Sequence, residues 1–498
     1  MESEYSSVQS SSSQEKIDLL AIESHKRAAL SSVALAYFDS LLGRGRQPPS
    51  KLIPPEEFIS AFLSKSLSAH LSTEDADPPI YSQASEDAVF SQFQNVSLSD
   101  VTRAIYRLNN KSSPCDTLPT PLLKCCVDIL SPYITFLFNR SLDSGHFPSV
   151  WKKVKISPIL KKSSADSHDP SSYRPISNLP VLSKVLERFV CRQLGSYIDE
   201  HDLRSRLQSA YRLHHSTETT LLKVMSDLFT SFDKGQISLL SFLDLSSAFD
   251  CVDHVLLSKR LRHSVGLRDS ALKWFESFLN GRTISVSDGQ NSSSSALVCG
   301  VPQGSVLGPA LFSLFITDIV PLVHEYGHQV HLFADDILIY GSSSAKDSSR
   351  LSSSIATCVE AVANWLRSNR LILNMSKTQF MWCHSKRRRV SECLNTPIRL
   401  CNTDFIPVNS VRYLGVILDS SLSLVNNVTR TTSTCFSALR RIRSIRRSLT
   451  RPLLETLITS LVLSRLDYCV GAYYGVTSSQ LWRLQRVLHA AARLIFRS

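Results

Sequence analysis

The chain has 498 residues, 43% of them apolar and 20% charged, with 55 Lys and Arg against 43 Asp and Glu for a formal net charge of +12. That composition excludes a collagen, a disulfide-stapled miniprotein and a wholly disordered chain, and the length suits roughly two to four domains with cores of their own. The basic balance points to a polyanionic partner, nucleic acid ahead of an acidic membrane surface.

The twelve cysteines include no CxxC pair and no Cys/His cluster at zinc-finger spacing. Free thiols in a reducing compartment, nucleus or cytoplasm, are therefore expected. The N-terminus, MESEYSSVQSSSSQEK, is acidic and Ser-rich and lacks the basic and apolar regions of a secretory signal. No apolar run approaches the ~20 residues of a membrane helix, so no membrane partner is expected.

In chain order, residues 1–13 predict disorder, Lys16–Leu42 a helix, and Gly43–Ser50 a linker. Pro54-Pro55-Glu56-Glu57 ahead of Phe58, Phe62 and Leu63 predicts a helix start and its apolar face. Residues 72–87 are polar and acidic, a predicted loop. Ser97 to Asp100 resembles a capping box, with Val101, Ile105 and Leu108 as the stripe behind it. Residues 1–140 carry no legible chemistry and read as a helical, partly disordered N-terminal extension.

From about 140 to 420 the pattern changes. Helical stretches such as Ser183–Ile198 alternate with β-type runs at Leu239–Leu245, His331–Tyr340 and Arg412–Leu418, while Ser292–Ser295 and Ser342–Ser344 mark loops. This mixture predicts an α+β domain over 141–419 with a mostly antiparallel sheet. From about 430 the chain reads as helical and very basic, so 420–498 is set apart as a separate basic helical part.

Two segments carry candidate chemistry: FLDLSSAFDCVDH (242–254) and FADDILIY (333–340). In each an Asp ends or interrupts a strand-like run, where its short polar side chain is disfavoured. Burying Asp335 beside Asp336 without a partner is costly. A divalent cation offsets that cost, and Mg²⁺ prefers a few carboxylates plus substrate phosphates. Asp244, Asp335 and Asp336 are thus a candidate two-metal site for phosphoryl displacement. On spacing alone a surface turn and an unrelated capping Asp remain the alternative. GVPQGSVLGPALF (300–312) adds a Gly- and Pro-rich loop opening a helix, with Gln303 and Gly304 able to face a base or sugar.

The ordered set FLDLSSAFD, GVPQGSVLGP, FADD, LNMSKTQFMW and VRYLGVILDSSLS resembles the reverse transcriptase of non-LTR retrotransposons, in particular the CR1, L2 and Jockey-like group. SYRPISNLPVLSKVLERFV (172–190) and QSAYRLHHSTETTLLKV (208–224) are similar to that group's finger motifs, and the resemblance covers about 100–498. It implies a right-hand polymerase of fingers, palm with antiparallel sheet and helical thumb. It implies RNA-directed DNA polymerisation: dNTPs are added to a DNA primer 3′-OH on an RNA template. Asp244, Asp335 and Asp336 would hold two Mg²⁺ ions, replaceable by Mn²⁺ in vitro.

Further roles implied by the resemblance fall on single residues. Phe249, five residues after Asp244, matches an aromatic that excludes a ribose 2′-OH; a plain core Phe is the alternative. Gln303 and Gly304 match the loop lying against the incoming nucleotide. Arg174 matches a triphosphate clamp, for which planar guanidinium is suited, with Lys161 or Lys162 assisting. Lys377 matches a lysine near the triphosphate. Asp250 and Asp253 fit as supports of the site. Tyr413, Leu414 and Gly415 match the primer grip. Lys152, Lys153 and Lys155, the run Lys386 to Arg389, and Arg440, Arg441, Arg443, Arg446, Arg447 and Arg451 would contact nucleic-acid backbone without reading sequence; the Lys386 run also has the form of a nuclear localisation signal.

Related elements carry an endonuclease ahead of the polymerase and continue beyond the point where this chain ends. The first ~100 residues are too short for that fold, and neither an RNase H carboxylate set nor a Cys/His nicking cluster is visible. A fragment whose target nick comes from elsewhere is the expectation. An inactive nucleic-acid-binding remnant is the rival, and an intron maturase or telomerase-like polymerase a more distant one.

Overall fold

A computed structural model describes residues 53–162, 165–288, 291–385 and 396–496. The disorder, helix and linker expected within residues 1–50, and the basic run 386–389, lie outside the described residues. The described residues divide into two compact units, one running to Asn409 and the other from Ser410 onward.

The larger unit is α+β. Its strands are β1 (Lys153–Leu160), β2 (Tyr173–Asn178), β3 (Ile237–Leu243), β4 (Arg282–Ser287), β5 (Ser292–Leu297), β6 (Gln329–Phe333), β7 (Asp336–Ser343) and β8 (Gln379–Cys383), followed by a small hairpin of β9 (Ile398–Leu400) and β10 (Thr403–Phe405). The helices that matter for the site are α1 (Pro55–Leu71), α2 (Leu98–Tyr106), α3 (Val181–Glu200), α4 (Thr217–Asp233), α5 (His254–His263), α6 (Leu307–Phe315) and α7 (Ser348–Ser368).

Two four-stranded sheets are formed, ordered β2-β1-β4-β5 and β6-β7-β3-β8. All pairings are antiparallel except β1 with β4. Strand β3, ISLLSFL, is buried at every residue. Both its edges are paired and α4 and α7 pack on it, which is why it reads as a continuous apolar run and not as an alternation. The run His331–Tyr340 is two strands joined by a turn at Ala334-Asp335. Leu243 lies opposite Ile337, so the chain leaves β3 at Asp244 beside the start of β7 at Asp336.

Two expectations change. Ser292–Ser295 is strand β5, not loop, and Ser342 and Ser343 close β7. β5 is an edge strand with alternating exposure, where serine is tolerated on the wet face. The reversal sits earlier, where the Asp288 Oδ1 accepts from the Asn291 N–H at 2.6 Å. The second change concerns the apolar run. Leu307–Glu325 is long and apolar enough to cross a membrane by length and composition. In the fold it is core: Phe312 and Phe315 are fully buried, the helix is interrupted after Phe315, and Asp318 pairs with the buried Arg260.

The N-terminal part is built into this unit. Ser97 caps α2 by accepting from the Asp100 N–H at 3.1 Å. Ala88, Phe93, Val101 and Ile105 share one core with Trp274 and Phe275. Gly266, at φ +78, lets this segment in; a Cβ there would fall 1.9 Å from the Ala88 carbonyl oxygen. Helix α1 packs on β4 and β5 and puts Phe58 and Phe62 into a second core with Val154, Tyr173 and Ile284.

The smaller unit begins with the hairpin β11 (Ser410–Tyr413) and β12 (Val416–Asp419), followed by the long helices α8 (Val425–Ser444) and α9 (Ser478–Phe496). Leu414 and Gly415 both have positive φ, +45 and +86, the primed two-residue turn that fits strand twist. The Tyr468 hydroxyl donates to the Leu414 carbonyl at 2.8 Å. Cys435, Leu439, Ile442, Val487 and Ala491 form the core between the helices.

Candidate active site

Each carboxylate is placed by backbone. Asp244 ends the central strand. Beyond it the chain is stitched to the segment before β8: the Asn374 N–H donates to the Asp244 carbonyl at 2.8 Å, and the Ser246 N–H to the Ile372 carbonyl at 2.9 Å. This pairing brings Lys377 to Asp244, and its Nζ donates to Oδ2 at 2.9 Å. On the neighbouring hairpin Phe333 pairs with Asp336, leaving Ala334, at φ +56, and Asp335 as the turn.

The loop after β5 is held just as closely. The Val301 N–H donates to the Phe249 carbonyl at 2.9 Å, and the Ser177 N–H to the Gln303 carbonyl at 2.7 Å. Gly304 has φ +125, and a Cβ there would stand 2.6 Å from the Ser177 carbonyl oxygen, so glycine alone fits. Gln303 Nε2 donates to Asp250 Oδ1 at 2.8 Å. Phe249 stacks on Phe312, ring centroids 4.6 Å apart. Asp253 caps α5, accepting from the Val255 and Leu256 N–H groups.

These pieces enclose one cavity of about 320 Å³, lined by Asp244, Asp335, Phe249, Gln303, Arg174 and Lys377 together with Asp250, Phe62, Lys65 and Lys161. Asp336 is next to it by strand register. Of the two lysines left open by the sequence, Lys161 lines the cavity.

The carboxylates strain against one another. Burial raises Asp335 above the usual carboxylate range, and the charge of Asp244 adds to it while Arg174 and Lys377 oppose. Burial, then Asp335 and Asp244, push Asp336 to about 6. Among the described residues no three His, Cys, Asp or Glu side chains are already drawn into a metal cage. The three Asp fit an open site instead, where mutual repulsion is relieved by cations that also take substrate phosphates.

A family profile described as "Reverse transcriptase (RNA-dependent DNA polymerase)" matches residues 159–418. The chain belongs to the reverse transcriptase family. Its relatives place it among the non-LTR retrotransposon enzymes. It is 28% identical over 416 residues to the probable RNA-directed DNA polymerase from transposon X-element of Drosophila melanogaster, covering 82% of this chain and 44% of that protein. It is 30% identical over 344 residues to the RNA-directed DNA polymerase from mobile element jockey of the same fly, covering 67% and 36%. A similar match, 29% identity over 360 residues, is made to the probable polymerase from transposon BS. The chain spans less than half the length of these curated relatives.

In this member of the family the residues expected for the primer grip and the expected arginines lie in the smaller unit, whereas Lys152, just before β1, and Lys153 and Lys155, at its start, lie in the larger one. Tyr413, Leu414 and Gly415 make its hairpin turn. Arg440, Arg441 and Arg443 are exposed along α8 and Arg447 just beyond it, whereas Arg446 is partly committed to the Leu494 carbonyl at 3.2 Å.

Sequence reasoning missed three residues. Glu187 of α3 is fully buried and accepts from the Val306 and Leu307 N–H groups at 2.7 and 3.3 Å, capping α6 behind the Gln303 loop. Gln208 Oε1 accepts from the Ala334 N–H at 3.2 Å, directly at the carboxylate turn. Lys65 reaches the cavity from α1. The first two sit in quoted motifs, but their hydrogen bonds join distant segments and leave no spacing signal.

Burial lifts Asp250 from 3.8 to about 6. The folded state therefore binds its proton more tightly than the unfolded chain. Stability falls as pH rises from about 4 to 6, and the full cost, roughly 2–3 kcal/mol, is present above that window. Asp250→Asn keeps an acceptor for Gln303 and removes the charge. It is expected to melt higher than the parent at pH 7.5 and equally at pH 4, read by thermal denaturation without metal.

Proposed function

We propose that this chain is an RNA-directed DNA polymerase that adds dNTPs to a DNA primer 3′-OH on an RNA template, with the larger unit as fingers and palm and the smaller as thumb. The observation that carries the reading is that Asp244 and Asp335 line one cavity together with Arg174, Lys161 and Lys377. Asp244, Asp335 and Asp336 would hold two Mg²⁺ ions, which when bound supply Lewis-acid stabilisation of a phosphoryl transfer. Arg174 offers a planar fork to phosphate oxygens. Lys377, now on Asp244, is free to turn to the triphosphate when metal takes its place there. Gln303, held by Asp250, presents an oriented edge to the nucleotide.

In the smaller unit, Tyr413, Leu414 and Gly415 would position the primer end. Arg440, Arg441, Arg443, Arg446 and Arg447 would hold duplex backbone. The nick that primes synthesis on a target would come from another protein or segment. No disulfide joins the eleven described cysteines, which suits a reducing compartment, nucleus or cytoplasm.

Extension of oligo(dT) on poly(rA) with dTTP and Mg²⁺ tests the reading, with Asp335→Asn/Asp336→Asn as control. Extension lost in the control and on chelation supports it. A folded, duplex-binding chain that extends nothing favours the inactive remnant.

Phe249 lines the cavity yet is only half-buried against Phe312, so its ring is open on one side. Phe249→Val is expected to raise ribonucleotide use at least about tenfold relative to dNTP by opening space at the sugar. Single-nucleotide incorporation of rUTP against dTTP measures it, and an unchanged ratio would leave Phe249 as packing only.

A further inference from the structure

Helix α1 precedes the matched reverse transcriptase span, 159–418, by most of a domain, yet it enters the cavity wall with Phe62 and Lys65. Phe62 is buried, and its packing against the β4–β5 side of the fingers sheet fixes the helix. Lys65, one turn on, points its Nζ at the Ser171 carbonyl, 3.2 Å away. Lys161 Nζ donates to that same carbonyl at 2.9 Å. Arg174 follows three residues later on β2 and lines the same cavity.

Two ammonium groups gathered on one neutral oxygen repel each other. Among the described residues neither Lys65, Lys161 nor Arg174 has a carboxylate within ion-pair distance. The strain is visible at Lys161, which is held below the ordinary lysine range by burial first and by Lys65, Lys377 and Arg174 after it, with Asp250 only partly opposing them. Like charges held together beside an open cavity are relieved by an anion of high charge density. Asp244 and Asp335 line the same cavity, so the anion that fits is one able to carry metal ions toward them and bare oxygens toward Lys65, Lys161 and Arg174.

We propose that Lys65 is a phosphate-binding residue of the nucleotide site, forming with Lys161 and Arg174 a cationic wall for the dNTP triphosphate. The inference rests on the polymerase reading and extends the nucleotide site to the N-terminal helix. Lys65→Ala removes one ammonium and leaves Phe62 packing untouched. Deleting one charge-assisted hydrogen bond at the edge of the site corresponds to a rise of roughly tenfold in the KM for dTTP, with kcat within about twofold. Lys65→Arg, which keeps the charge, restores most of it.

Single-nucleotide kinetics on poly(rA)–oligo(dT) provide the first readout. The second is equilibrium binding of dTTP to the chain on a dideoxy-terminated primer–template, where no chemistry occurs. Weaker dTTP binding in Lys65→Ala, with unchanged primer–template affinity, supports the inference. Unchanged dTTP KM and binding, with only a lower melting temperature, would mean that Lys65 merely ties α1 to Ser171, and the inference falls. Weaker primer–template binding alone would assign Lys65 to the template strand and overturn it equally. If the parent chain extends no primer but binds dTTP through Lys65, the polymerase reading fails while the phosphate site stands.

Discussion

Asp336→Asn is expected to cut primer extension by at least about 10³-fold and, without metal, to raise the melting temperature of the same protein. The two effects have one cause. Asp336 sits at the end of a strand beside Asp244 and Asp335, and its carboxyl is pushed to about 6 by burial and those two charges. Keeping it ionised at pH 7.5 costs the folded state on the order of 1–3 kcal/mol, after allowance for solvent screening. The amide removes that cost, so the variant gains at pH 7.5, and the gain shrinks through the window from about 6 to 4 and vanishes below it, where the parent is protonated in both states. On the proposed two-metal reading the amide would also withhold a metal ligand, and with it several kcal/mol of charge stabilisation from phosphoryl transfer. Mg²⁺ should accordingly stabilise the parent against heat and have little effect on the variant. Calorimetry with and without Mg²⁺, beside single-turnover extension, reads both sides. A variant that loses activity and melts lower would show instead that Asp336 is needed for folding.

What was legible in the sequence follows from which physical constraints are local. Asp244, Asp335 and Asp336 stand out because carboxylates disfavour strand interiors, so their presence at the ends of LLSFLDL and FADDILIY needs a reason that composition does not supply. Helix Val181–Glu200 was legible from its stripe of Leu186, Val190 and Leu194, all buried in the fold. Ser292–Ser295 was misread because four serines signal turn chemistry, whereas an edge strand with one wet face accepts them. The run Leu307–Glu325 reaches membrane length because most of it packs into the core, with Leu311, Phe312, Phe315, Ile316 and Ile319 fully buried. Lys65 was invisible for a different reason. Its helix looks like any amphipathic lead-in, and only tertiary packing on β4 and β5 decides that one half-buried lysine meets Lys161. The same holds for Glu187 and Gln208, whose roles are hydrogen bonds to backbone far along the chain.

Gln208→Leu is expected to lower the rate of nucleotide addition by roughly 10- to 100-fold while leaving the dNTP KM nearly unchanged. The carboxylate turn is narrow and strained: Ala334 holds φ +56, a conformation an alanine adopts only when surroundings impose it. The surroundings are the segment 207–209. The Leu332 N–H donates to the Leu207 carbonyl and the Ser209 N–H to the Leu332 carbonyl, which adds a short parallel bridge at Gln208 to the free edge of β6. Ser209 is itself tied to His331 Nε2 at 2.9 Å and His215 Nδ1 at 3.1 Å. From this platform Gln208 Oε1 meets the N–H groups of Ala334 and Ala210. Leucine fills the space but leaves both buried donors unmet, a loss of about 2 kcal/mol or more. The turn then relaxes, and Asp335 and Asp336 spend less time in the arrangement in which, on the proposed reading, they would hold metal. The half-saturating Mn²⁺ concentration, read by electron paramagnetic resonance on the protein alone, should rise with the loss of rate. Gln208→Glu retains the acceptor oxygen and should recover part of both. Val224→Ala, in the buried face of α4, lowers stability without touching the turn and serves as the comparison. If it raises the Mn²⁺ requirement as much as Gln208→Leu does, the effect is general loosening, and Gln208 has no special hold on the carboxylates.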